Sequence, residues 1–180
     1  MGTAFKPSVH IRGYYAVIDR DDEDFARKIV FECGASVVQL RMKDASAREL
    51  LPFAQTVAGF CEQAKIPFVV NDRIDVALAV HAHGVHLGQD DLPLVEAKKI
   101  VSRMGASLFI GISTHSLAQV GEAVKGGADY LGYGPVFATT TKKNPDPTQG
   151  IPALIAAVEV AQGVPVTAIG GITTENVQQV

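Results

Sequence analysis

Val37-Val38-Gln39-Leu40-Arg41-Met42-Lys43 is an apolar run that ends in an amide, a guanidinium and an ammonium at every second position. Alternation along a strand sends i, i+2 and i+4 to one face, so Gln39, Arg41 and Lys43 point one way and Val38, Leu40 and Met42 the other. The same pattern recurs along the chain. Pro67-Phe68-Val69-Val70 runs into Asn71-Asp72, Gly84-Val85-His86-Leu87 into Gly88-Gln89-Asp90-Asp91, and Phe109-Ile110-Gly111-Ile112 into Ser113-Thr114. Tyr133-Gly134-Pro135-Val136-Phe137 leads into Ala138-Thr139-Thr140-Thr141-Lys142. Parallel strands buried on both faces read as near-continuous apolar runs, and in barrel enzymes the reactive groups sit at their carboxyl ends. The pattern predicts an α/β fold, a (β/α) barrel whose polar clusters converge on one rim.

Helical stretches separate the runs. Residues 22–33 open on acidic side chains and close before Gly34, a good residue just past a helix end. Residues 47–64 carry Leu50, Leu51, Ala54, Val57, Phe60 and Cys61 near the i, i+3, i+4, i+7 template. Shorter helices are predicted over 73–80, 94–102, 117–124 and 151–162, and Thr173 or Thr174 is expected to cap a last one. Strands are predicted over 14–18, 36–41, 67–71, 84–87, 108–112, 130–136 and 164–169. The count is seven βα units, about 24 residues apart, where a closed barrel needs eight. Residues 1–180 are therefore expected to form a single domain, a (β/α)8 TIM barrel with its eighth βα unit absent from this chain. The native protein is expected to continue for roughly 25 to 35 residues through that unit. A polypeptide ending at Val180 would leave two sheet edges unpaired, which favours aggregation or a homo-oligomer.

The chain has 180 residues, is 47% hydrophobic and carries a net charge of -3 with both signs interspersed. It can bury a full core, and no basic stripe suggests nucleic acid. Apolar stretches fall far short of a membrane span and the start lacks a signal segment, so a cytoplasmic protein is expected. Cys33 and Cys61 lie in predicted helices without CxxC spacing, which reads as small core hydrophobes in a reducing compartment. His81, His83 and His86 lack further ligands at zinc spacing.

The polar clusters permit a definite chemistry. The Arg41 fork and the Lys43 point charge suit a polyanion such as pyrophosphate, with Gln39 beside them. Asp72 ends one strand and Asp91 follows the next. Two carboxylates about 4 Å apart repel by roughly 4 kcal/mol at an effective dielectric of 20. Oxygen ligands near a phosphate site favour Mg²⁺ as the relief. The alternative makes Asp72 an N-cap for the helix from Arg73, and Asp90 or Asp91 one for the helix around Leu94. The long loop holding Thr139, Thr140, Thr141 and Lys142 offers hydroxyls and an ammonium to an anionic ligand. Gly170-Gly171 lets backbone approach a phosphate before a helix N-terminus, or simply makes a tight turn. Ser113 either caps its helix or bonds substrate, and His86 reads as an interior polar group.

In their order on successive strands these motifs resemble the thiamine-phosphate synthase family. The resemblance runs from Tyr14 onward through Tyr-Ala-Val-Ile-Asp, Val-Gln-Leu-Arg-Met-Lys, Val-Asn-Asp and Gly-Val-His-Leu-Gly-Gln-Asp-Asp-Leu. It continues through Gly-Ile-Ser-Thr-His-Ser, Asp-Tyr-Leu-Gly-Tyr-Gly-Pro-Val-Phe, Thr-Thr-Thr-Lys-Lys and Ala-Ile-Gly-Gly-Ile. It implies a transferase on a (β/α)8 barrel that uses Mg²⁺ to join hydroxymethylpyrimidine pyrophosphate to a thiazole phosphate. Thiamine phosphate and pyrophosphate are the products. It further implies that Gln39, Arg41, Lys43, Asn71, Ser113 and Lys142 contact the pyrimidine pyrophosphate, with Arg41, Lys43, Ser113 and Lys142 acting in catalysis. Asp72 and Asp91 would hold Mg²⁺. Thr139, Thr140 and Thr141 would border the thiazole phosphate, to which Gly171 offers its backbone N–H. Asp90 stands where relatives often have Glu and inherits no role. Two alternatives stay open: a thiazole tautomerase-like isomerase, for which His115 is the candidate, and a non-catalytic ligand-binding barrel.

Overall fold

The computed structural model of the chain describes residues 11–139 and 146–180. Strands and helices alternate in the order β1 Tyr15–Ile18, α1 Glu23–Phe31, β2 Val37–Leu40, α2 Ala47–Ala64, β3 Phe68–Asn71, α3 Ile74–Ala79 and β4 Gly84–Leu87. They continue as α4 Leu94–Arg103, β5 Phe109–Thr114, α5 Leu117–Gly126, β6 Tyr130–Tyr133, α6 Gly150–Val160 and β7 Val166–Ala168. Each strand pairs in parallel with the next, which makes a seven-stranded, nearly closed barrel in sequence order. Strands β1 and β7 end the sheet, with no mutual pairing among the described residues.

Local chemistry explains the helix starts. The Asp22 carboxylate accepts from Phe25 N–H at 2.9 Å, and Glu23 and Asp24 fill the first turn of α1, where an anion meets the positive end of the helix dipole. At α2, Ser46 and Glu49 cap reciprocally as a capping box. Helix α5 begins under Ser116 and ends on Gly127 in the left-handed region.

Two apolar layers fill the molecule. Between sheet and helices lie Ile18, Leu40, Val70, Leu87 and Leu131 from the strands, packed against Val57, Ala77, Ala97 and Val120 from the helices. The barrel interior holds a smaller cluster of Val37, Val69, Phe109 and Tyr130, flanked by Ile11 and Tyr15. Its fit depends on glycine. Gly84 pairs with Phe109 and Gly111 with Tyr130, and a Cβ on either glycine would run into its partner's ring. The empty place on one strand thus receives the aromatic of the next.

The β7 end is less covered. Helix α6 leaves Ile155 and Val158 more than half exposed, along a groove of about 400 Å³ shared with Val166, Ala168 and Val180. Two expectations need correction. After β7 the described chain forms only a 3-10 turn, Val177–Gln179, where Thr173 or Thr174 was expected to cap a helix. The Thr173 N–H donates to Asn176 Oδ1 instead, a local turn bond that competes with helix. Cys33 lies past the end of α1 and is exposed, while Cys61 is buried in α2. Both are free thiols. No helix among the described residues is long and apolar enough to cross a membrane.

Candidate active site

The barrel interior changes character from its apolar floor to the carboxyl ends of the strands. Tyr15 and Tyr130, at the starts of β1 and β6, lift their hydroxyls from the floor to within 2.8 Å of each other. Gln39 in β2 donates its side-chain N–H to the Tyr15 hydroxyl at 3.0 Å. His86 in β4 places Nδ1 2.8 Å from the Tyr130 hydroxyl and Nε2 2.9 Å from Ser113 Oγ in β5. Gln39, His86 and Tyr130 are buried, and buried polar groups hold only when hydrogen-bonded. Burial pushes both tyrosine hydroxyls well above their ordinary pKa. It also drives His86 down from 6.5 to about 4, so the ring is neutral.

Above this layer stand the charged groups. Asp72, just past β3, adopts a left-handed backbone with φ 62°, a conformation Asp tolerates better than bulkier residues. Its N–H is held by the His86 carbonyl at 2.8 Å. The Asp72 and Asp91 carboxyls share a hydrogen bond. Burial first, then that bond and the charge of Asp91, push Asp72 up from 3.8 to about 7, against the pull of Lys43 and Arg41. Asp91 also accepts from Gly88 N–H at 2.7 Å. Neither aspartate caps a helix: the N-cap of α3 is Arg73 and that of α4 is Pro93, both without a side-chain cap bond. Ser113 is no cap either, since Ser116 has that place in α5.

The structure therefore brings Arg41, Lys43, Asp72 and Asp91 within electrostatic reach. Gln39 and Ser113 lie beneath them, joined through Tyr15, Tyr130 and His86. Asn71 is buried at the end of β3, opposite His86 in the ladder. Gly171, with φ 65°, lies against Phe137 and Ala138 of the segment after β6. Thr139 follows directly. Thr140, Thr141 and Lys142 lie outside the described residues. Among the described residues only the 3-10 turn Val177–Gln179 follows Gly171, where an α-helix N-terminus was expected, and the Gly171 carbonyl accepts from Asn176 at 2.9 Å. His115 is tied down: Nδ1 lies 2.6 Å from the Gly134 carbonyl and Nε2 3.5 Å from Asp146. Among the described residues, no three His, Cys, Asp or Glu side chains group to hold a metal.

Sequence reasoning missed Tyr15 and Tyr130. A tyrosine at a strand start reads as a β-former with an apolar ring, and nothing local says that two hydroxyls 115 positions apart will meet.

A model of a family described as thiamine monophosphate synthase matches residues 14–180. The thiamine-phosphate synthase of Halalkalibacterium halodurans is 49% identical over 148 residues, which cover 82% of this chain and 68% of that protein. That of Enterococcus faecalis is 41% identical over 164 residues, covering 89% of this chain and 74% of the relative. Among solved structures, the thiamine phosphate pyrophosphorylase of Pyrococcus furiosus superposes with a TM-score of 0.82 at 38% identity, over 92% of this chain and 78% of that one.

Proposed function

The chain belongs to the thiamine monophosphate synthase family, and from that we propose that it condenses hydroxymethylpyrimidine pyrophosphate with a thiazole phosphate. The observation that carries the reading is the rim where Asp72 and Asp91 share a hydrogen bond in the field of Arg41 and Lys43. Paired acidic oxygens beside paired cations suit a substrate that is itself a polyanion.

The chemistry is a substitution at the pyrimidine methylene. Its bond to the pyrophosphate oxygen breaks and the electron pair leaves with pyrophosphate. The electron-rich ring stabilises the methylene cation, and the thiazole nitrogen closes the new C–N bond with its lone pair. No protein nucleophile is required. The protein's task is to stabilise charge that grows on the leaving oxygen, a contribution that is larger in a water-poor site. Arg41 and Lys43 would face that charge, with Lys142 from the loop, while Gln39, Asn71 and Ser113 orient the pyrimidine pyrophosphate. Thr139, Thr140, Thr141 and the Gly171 N–H would border the thiazole phosphate.

The carboxyl pair fits a divalent cation. Two acidic groups close enough to share one proton, with oxygen donors only, are relieved by a hard ion such as Mg²⁺. Asp72 and Asp91 would hold it, and it would supply further positive charge to the leaving pyrophosphate. The reading treats residues 1–180 as one domain acting on small molecules in the cytoplasm. Direct detection of thiamine phosphate from both substrates and Mg²⁺ tests it. Pyrophosphate release without thiamine phosphate would overturn it, because that is mere hydrolysis.

A further inference from the structure

We propose that Tyr130 is a positioning residue, whose hydroxyl directs a one-way chain of hydrogen bonds from Gln39 to Ser113 and leaves the Ser113 proton facing the substrate. The inference rests on the proposed synthase reaction, in which Ser113 touches the pyrimidine pyrophosphate.

Donor counting fixes the direction. The Gln39 amide donates to the Tyr15 oxygen, so Tyr15 turns its single proton toward Tyr130, 2.8 Å away. Tyr130 then accepts from Tyr15 and from the Gln39 amide, and has one acceptor for its own proton, His86 Nδ1. Nδ1 must be bare, so the neutral ring carries its proton on Nε2 and donates it to Ser113 Oγ. Ser113 receives that bond and keeps its own O–H free of the chain. A proton on Nδ1 would reverse the Tyr130 hydroxyl. Tyr15 would then face two donors and have no acceptor for its own proton. Strands β1, β2, β4, β5 and β6 contribute one member each, so the order crosses the barrel interior. Such networks are strong when every member is satisfied.

The consequence for catalysis is a hydroxyl already turned to donate. Without the chain, Ser113 could spend its proton on His86 and present only lone pairs to an anion. A donor that needs no reorientation contributes to the transition state, so the loss should fall on kcat.

Nitrogen NMR of protein labelled with ¹⁵N-histidine tests the direction without turnover. The wild type should show His86 as the Nε2–H tautomer. Gln39→Glu at about pH 8.5 keeps a carboxylate that only accepts, so it should reverse every bond and convert His86 to Nδ1–H. A wild-type Nδ1–H ring, or an unchanged tautomer in Gln39→Glu, would overturn the proposal. Tyr130→Phe removes the node and should lower kcat on the order of tenfold with little change in KM. Tyr15→Phe, which keeps the floor packed, should do the same if Tyr130→Phe folds poorly. Full kcat in a folded variant, beside a wild type that makes thiamine phosphate, defeats the positioning role alone. A wild type that makes none defeats the synthase reading, while the tautomer spectrum still judges the chain.

Discussion

Asp72 and Asp91 arrive from different strands and share a hydrogen bond between their carboxyls. Two acidic groups do this only when the pair retains a proton, and burial first, then that bond and the charge of Asp91, raise Asp72 from 3.8 to about 7. The pair is thus a place where cation, proton and pH compete.

Magnesium should therefore bind better as pH rises. In the ion-free protein, a folded-state pKa raised from 3.8 to about 7 means that the native state holds the proton more tightly than the unfolded chain. Stability from this group falls as pH climbs through that window. Cation binding must expel the proton. Saturating Mg²⁺ should raise the melting temperature more at about pH 8.5 than at about pH 5.5, and Asp72→Asn should abolish the difference. An equal Mg²⁺ shift in Asp72→Asn would remove Asp72 from the ligand set.

His86 works in the opposite sense. Its folded-state pKa lies below the unfolded 6.5, at about 4, because burial penalises the cation. As pH falls through that interval the unfolded chain takes up the proton first and stability is lost, by roughly 3 kcal/mol in full. Asp72 offsets part of this, so the measurement belongs in an Asp72→Asn background. Urea unfolding there should show stability declining from about pH 6.5 to about pH 4, and His86→Gln should flatten the slope. A flat profile with His86 intact would mean the ring is not held neutral.

Arg41→Ala should lower kcat by about a hundredfold, since removing one donor to developing negative charge costs roughly 3 kcal/mol. Steady-state kinetics would refute the assignment if only KM for the thiazole phosphate rose.

Gly111→Ala places a methyl against the Tyr130 ring and should cost about 1–3 kcal/mol through overpacking. Gly59→Ala, on α2 with nothing within 4 Å of the added carbon, should instead stabilise by up to about 1 kcal/mol. Thermal melts of the two variants should move in opposite directions, and a parallel shift would refute the packing account.

Much of this was legible in the linear chain, for a physical reason. Strands β2, β3, β4 and β6 are buried on both faces, so their runs are mostly apolar, and polar side chains fall at the strand ends or inside the barrel, as Gln39 and His86 do. Gln39, Arg41 and Lys43 follow from period-two alternation, and Asp72 and Asp91 from the neighbouring places of β3 and β4. Tertiary register was not legible. The meeting of Tyr15 with Tyr130 depends on interior geometry that no window of sequence contains. The region after Gly171 misled because Thr-Thr-Glu-Asn looks like a helix start, yet its side chains satisfy one another within a turn.

Gly111 has no side chain and no part in the chemistry, yet it sets how deep the Tyr130 ring can sit. It behaves as a spacer. A methyl there would lift the ring, and with it the hydroxyl on which Tyr15 and His86 both depend. A screen for turnover would then score a glycine in mid-strand, out of reach of any substrate, and file it under folding. Beside the packing cost, its effect on turnover would be a height error, passed along the interior to Ser113.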